Sequence, residues 1–205
     1  MQHADAAPPA AYVTPSAWAL AQAPHRDELL VEQAHLEKKA AAAAMQFLFR
    51  VPAPAAALRG LSALAREELA HFERTLRLLD RRGVPFGPQA PAPYAERLKQ
   101  GCARTMPERL VDELLVAAVI EARSHERMQL LADARRADDV ELADFYADLV
   151  GAEARHAPIY VELAAHVLPT DAVAARHTAL LAHEAAVLRA LPFAPRLHSG
   201  APAEA

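Results

Sequence analysis

Three times in this chain a His follows a Glu by three residues: Glu32/His35, Glu68/His71 and Glu153/His156. Successive helical residues turn by about 100°, so residues three apart share a face and can grip one metal ion between them. With 16 Glu and 10 His in 205 residues, roughly one such pair arises by accident. What separates the three is a lone Glu on the preceding helical stretch. Glu37 lies 31 residues before Glu68, and Glu121 lies 32 residues before Glu153. The same step back from Glu32 reaches Met1, ahead of any helical pattern, so Glu32/His35 reads as the accidental pair.

The remaining set, Glu37, Glu68 and His71 with Glu121, Glu153 and His156, occurs as two copies of one pattern. Two hairpins carrying these copies would bring four carboxylates and two imidazoles to the middle of a bundle. That ligand set is characteristic of di-iron and di-manganese carboxylate sites, where carboxylates bridge two hard cations and each His adds a neutral nitrogen. One heptad to either side of the carboxylates lie Leu30 and Ala44, Leu61 and Thr75, Leu114 and Met128, and Tyr146 and Tyr160. These neighbours predict that the ligand positions face inward. Buried there without a metal or a partner, the carboxylates would be costly. Glu67, beside Glu68, reads as a solvated neighbour.

The elements that must position these residues are helices. Ala and Leu dominate, only 6 residues are Gly and 5% are aromatic. Strong helix formers are therefore abundant and strand formers sparse. Helices are expected from about 27 to 50, 55 to 82, 107 to 135, 138 to 167 and 170 to 190. Pro52, Pro54, Gly83, Pro85 and Pro169 supply the breaks. The expected fold is all-α: a ferritin-like four-helix bundle, with a long crossover between its second and third helices and an additional C-terminal helix. Residues 1–24 are expected to be irregular, 25–191 to form the bundle, and 192–205 to be a disordered tail.

Around the ligands, Ala41 and Ala44 lie on the Glu37 side of the first helix and would leave room for oxygen or a substrate arm. His125, one turn beyond Glu121, is a candidate partner of the ligands. Thr75, Tyr146 and Tyr160 could hydrogen-bond near the metals. The single cysteine, Cys102, excludes intramolecular disulfides and every multi-cysteine metal site. A net charge of −4 argues against a broadly basic surface. No leader-like segment and no membrane-length apolar run stands out, so a cytoplasmic protein without a membrane partner is expected.

The stretches "HLEKKAAAAAMQFLFR", "REELAHFE", "LLVAAVIEARSHERMQLLA" and "FYADLVGAEARHAPIYVELA" resemble the bacterial tRNA 2-methylthio-isopentenyladenosine hydroxylases, over about residues 26–190. The family commonly reads "EARSCER" where this chain has His125 in the Cys position. The resemblance implies a non-haem di-iron monooxygenase, with manganese as a possible alternative metal. Its six ligands would fall on Glu37, Glu68, His71, Glu121, Glu153 and His156. It would insert one oxygen atom from O2 into the isopentenyl side chain of a modified adenosine in the tRNA anticodon loop. Two electrons would come from an external donor such as a ferredoxin or reductase, because this chain carries no flavin, haem or iron–sulfur motif. Arg97, Lys99 and Arg104 in the crossover, with Arg123 and Arg127, are the candidate tRNA contacts. The alternative is a ferritin-like di-metal oxidase, peroxidase or ferroxidase acting on a non-tRNA substrate.

Overall fold

A computed structural model of the chain describes residues 12–203, and among these every regular element is a helix. They are α1 (Ser16–Ala21), α2 (Arg26–Leu48), α3 (Ala55–Arg82), α4 (Tyr94–Lys99), α5 (Glu108–Arg135), α6 (Val140–Ala165) and α7 (Thr170–Ala190), with a 3-10 turn at Ala23–His25. Asp27 and Glu28 place acid in the first turn of α2, where the helix dipole favours it. At the end of α3, Gly83 takes φ 66° and donates its N–H back to the last turn, as only glycine does without strain. Asp139 caps α6 by accepting the Leu142 N–H at 3.1 Å. The same carboxylate accepts two hydrogen bonds from Arg82, which ties the end of α3 to the start of α6.

Two hairpins make the body. α2 packs along α3, α5 packs along α6, the hairpins meet through α3 and α6, and α7 lies against α5. The heptad neighbours of the ligands, from Leu30 to Tyr160, are all buried. Apolar side chains form two clusters. One holds Phe47, Leu61, Leu64, Leu114 and Tyr160; the other holds Leu30, Leu78, Met128, Leu131 and Tyr146. The four carboxylates fall between these levels on their helices. A polar layer therefore interrupts the core.

Both chain ends depart from the expectation drawn from composition. Residues 1–11 lie outside the described residues, but α1 is a helix that buries Trp18 completely. Residues 192–203 are no loose tail: Leu197, His198, Ser199 and Gly200 are buried. Arg127 donates to the carbonyls of Leu197 (2.5 Å) and Ser199 (2.8 Å), and Trp18 Nε1 donates to Ser199 Oγ at 3.0 Å. A Cβ on Gly200 would stand 1.7 Å from the Leu191 carbonyl oxygen, so only glycine closes this turn. Such a segment reads as disordered because its apolar residues are few. It is held by backbone acceptors that side chains elsewhere in the fold supply with donors.

Candidate metal centre

α2, α3, α5 and α6 bring all six predicted ligands into one buried layer. Their donor atoms form two overlapping groups, each with all its atoms within 4.8 Å of one another. One is Glu37, Glu68, His71 and Glu153; the other is Glu68, Glu121, Glu153 and His156. Glu68 and Glu153 belong to both groups, Glu37 and His71 to the first alone, and Glu121 and His156 to the second alone.

The donor atoms are arranged for a cation rather than for one another. Nδ1 of His71 lies 3.8 Å from Glu37 and 3.9 Å from Glu68. Nδ1 of His156 lies 2.7 Å from Glu68 Oε1, yet the two are not aligned as a hydrogen bond. Both Glu68 oxygens, Glu153 Oε2 and both Nδ1 atoms are buried without a hydrogen-bond partner. Orphaned buried donors and acceptors on this scale are rare unless something else satisfies them. Burial, with neighbouring carboxylates adding to it, pushes Glu68 up to about 12 and Glu153 well above its usual range. Burial raises Glu37 to about 7, and lowers His71 to about 4. A divalent cation would remove the cause of these shifts by supplying the missing positive charge. Oxygen and nitrogen donors of this kind fit a pair of hard or borderline ions.

Two outer contacts orient the ligands. Gln33 Nε2 donates to Glu37 at 2.7 Å. Glu67 is half-buried rather than simply solvated: its carboxylate lies 3.1 Å from His156 Nε2 and also pairs with Arg155. That contact turns Nδ1 of His156 towards the centre. The residue before Glu153 is Ala152, so the other half of the centre has no such carboxylate for His71. The doubled Glu in "REEL" is the only sequence signal for this asymmetry.

Glu37, Glu68, Glu121 and Glu153 open onto a cavity of about 600 Å³. It fills the space between α2 and α5, which hardly touch, and the crossover and the C-terminal segment cover it. Its apolar walls include Leu36, Ala40, Ala43, Phe47, Val116 and Ile120. The small residues that make the room are Ala40 and Ala43. Ala41 and Ala44, expected there, are buried in helix packing. Tyr160 lines the cavity as expected. Tyr146 is buried in the second apolar cluster, and Thr75 donates to the His71 carbonyl at 2.8 Å; neither reaches the cavity. His125 bonds through Nδ1 to the Val150 carbonyl at 3.0 Å, linking α5 to α6 away from the cavity. A carbonyl only accepts, so Nδ1 carries the proton.

Of the candidate tRNA contacts, exposed Lys99 stands at the cavity rim, with Lys39, Arg50 and Arg109. Arg97 and Arg104 lie on the crossover outside the lining. Arg123 and Arg127 are buried and correct the expectation. Arg123 grips Glu184 through Nε (2.7 Å) and a second nitrogen (2.9 Å), and Arg127 holds the C-terminal segment. On a single helix both look like surface cations; α7 and the C-terminal segment bury them. Glu32, the supposed accidental ligand, accepts the Leu197 N–H at 2.5 Å, and His35 bonds the Gly87 carbonyl at 2.8 Å.

An all-helical ferritin-like protein with a buried carboxylate–histidine cluster fit to hold metal ions is the class that this fold and site define. Residues 10–199 match the model of the tRNA-(MS2IO6A)-hydroxylase (MiaE) family, and the chain belongs to that family. A Pseudomonas putida relative named tRNA 2-(methylsulfanyl)-N(6)-isopentenyladenosine(37) hydroxylase is 38% identical over 190 residues, covering 92% of this chain and 91% of its own. A Salmonella typhimurium relative of the same name is 34% identical over 140 residues, 68% of this chain and 50% of its own. A solved structure described as protein 43 with aldehyde deformylating oxygenase activity from Synechococcus superposes with TM-score 0.84. It is 39% identical and covers 93% of this chain and 96% of that one.

Proposed function

We propose that this protein is a di-iron, O2-dependent hydroxylase of the isopentenyl side chain of 2-methylthio-isopentenyladenosine in tRNA. The observation that carries the reading is the pair of overlapping ligand groups facing an apolar cavity with a basic rim. Glu37, Glu68, His71, Glu121, Glu153 and His156 would hold two iron ions. What iron supplies when bound is activation of O2 for insertion into an unreactive C–H bond, with two electrons from an external donor such as a ferredoxin or reductase.

The protein's own residues do the remaining work. Gln33 and Glu67 fix the orientation of Glu37 and His156. Leu36, Ala40, Ala43, Phe47, Val116 and Ile120 form a wall for a short branched apolar arm and keep water from it. Lys39 and Lys99 at the rim, which enter no ion pair among the described residues, meet backbone phosphates flanking the modified base. Arg50 and Arg109 share Glu113, which reduces their pull on a phosphate.

One observation favours a second reading, an oxygenase for an apolar non-tRNA substrate: the close superposition on the Synechococcus protein, together with the apolar walls. Nucleoside analysis of tRNA separates the two. Deleting the gene should abolish the hydroxylated isopentenyl nucleoside, and the iron-loaded protein supplied with O2 and a two-electron reductant should restore it in vitro. An unchanged hydroxylated peak in the deletion strain refutes the tRNA reading. Failure to bind two equivalents of iron or manganese after anaerobic loading refutes the di-metal centre as well.

A further inference from the structure

The C-terminal segment contributes one side chain to the cavity, that of His198. Its ring stacks on Tyr94 with centroids 4.6 Å apart and planes 2° from parallel. Nε2 lies 3.2 Å from Ser124 Oγ, one turn along α5 from the ligand Glu121, and Ser124 also lines the cavity. Every neighbour of this pair is fixed in turn. The Tyr94 hydroxyl donates to Glu184 at 2.9 Å, and Glu184 is clamped by Arg123. The residues flanking His198 are held by the Glu32 carboxylate and the Arg127 guanidinium. Of the other buried polar groups of the same wall, Gln33 is committed to Glu37 and Glu32 to the Leu197 amide, while the Tyr160 hydroxyl has no partner.

We infer that His198 is a substrate-binding residue: with Ser124 it holds the planar nitrogen heteroaromatic base of the substrate, while the apolar arm reaches the carboxylate layer. This rests on the tRNA reading above and names the group that recognises the extruded base. A base that leaves its stack needs a surface to lie against and hydrogen bonds along its edge. Besides its carboxylates and aliphatic wall, the cavity is lined by Phe47, Tyr94 and Tyr160 and by polar Gln46 and Gln89. The imidazole is neutral, because burial and the charges of Arg127 and Arg123 hold its pKa far below the usual histidine range. With Nε2 taken by Ser124, the neutral ring keeps Nδ1 for one hydrogen bond to the base edge. Locking that ring between Tyr94 and Ser124 keeps the loss of side-chain freedom out of the binding step.

The test compares wild type, His198→Phe and His198→Gln as full-length, iron-loaded proteins under anaerobic conditions. Two anticodon stem-loops serve as probes, one with 2-methylthio-isopentenyladenosine and one with plain adenosine replaced by an abasic site. His198→Phe keeps the ring that stacks on Tyr94 and removes both polar nitrogens. It should weaken the base-containing loop by about tenfold, the worth of one lost hydrogen bond. The affinity for the abasic loop and the iron content should not change. His198→Gln, which restores a donor and an acceptor, should recover part of the loss. Equal affinity of wild type and His198→Phe for the modified loop overturns this inference and leaves the hydroxylase reading standing. A wild-type protein that binds neither loop overturns both. Equal weakening of both loops, or a fall in iron content, would show a purely structural His198 and also overturns it.

Discussion

The Glu67 carboxylate, on α3, lies 3.1 Å from Nε2 of His156, on α6. The contact crosses the interface between the two hairpins and leaves Nδ1 of His156 pointing into the centre. Because Ala152 occupies the matching place in the other copy, two ions held by the cluster would not be equivalent. Replacing Glu67 with Ala should therefore weaken one ion by about 10- to 100-fold and spare the other. Stepwise titration of the metal-free protein with Fe(II) or Mn(II) would read this as one weakened equivalent of two. Equal weakening of both would show that the carboxylate does not discriminate between the subsites.

The buried acids set the pH dependence of the metal-free protein. Glu37 is raised from 4.5 to about 7 and Glu68 to about 12, so the folded protein retains protons that the unfolded chain has released. Their stabilising contribution is complete below about 4.5 and is lost as pH rises towards the folded values. His71, lowered from 6.5 to about 4, acts oppositely, but only below 6.5. From pH 6.5 upward the metal-free protein should thus melt at progressively lower temperature. Metal binding needs deprotonated ligands, so added metal should release protons and raise the melting temperature more at higher pH. Thermal melts with and without Mn(II) across that range check both signs.

Arg123 and Glu184 form a buried ion pair that also holds the Tyr94 hydroxyl. Removing Glu184 leaves the buried Arg123 with only the partly exposed Glu126 as its ion-pair partner, so Glu184→Ala should cost about 3 kcal/mol in denaturant unfolding. A loss below about 1 kcal/mol, the range of surface pairs, would contradict this burial.

Gly200 has no room for a side chain against the Leu191 carbonyl. Gly200→Ala should release the C-terminal segment, seen as faster amide exchange at Leu197 and Ser199 and as new protease cleavage there. Exchange rates equal to wild type would show that the turn accommodates a methyl group.

Lys99 stands at the rim and is exposed. If it meets a phosphate, Lys99→Ala should weaken all tRNA anticodon loops alike and reduce the slope of log affinity against log salt by about 1. Arg123, buried on α5, should show no such salt signature when replaced.

Helix placement was legible in the chain because its signals are local. Pro52 and Pro54, Gly83 and Pro169 act on the backbone within a turn or two, and all five expected helices lie within a few residues of those places. The six residues that gather in the buried cluster were legible for the same reason: a spacing of three on one helix, repeated 31 or 32 residues after a lone Glu, needs no knowledge of packing to be seen.

Everything that crosses between helices needed the tertiary structure. Which carboxylates are shared, Glu68 and Glu153, depends on how two hairpins meet and not on any one helix. Glu67 looks like a solvated charge until α6 brings His156 to it, and Arg123 looks like a phosphate contact until α7 brings Glu184. Ala40 and Ala43, rather than Ala41 and Ala44, face the cavity because the space lies between α2 and α5, rotated from the ligand face by part of a turn. Residues 192–200 carry too few apolar side chains to announce a packed segment. Their order comes from Trp18 on α1, which meets the Ser199 hydroxyl, and Arg127 on α5, which meets the Leu197 and Ser199 carbonyls, only in the folded chain. Spacing along a helix is written in the sequence, whereas a partner on another helix exists only once the core has formed.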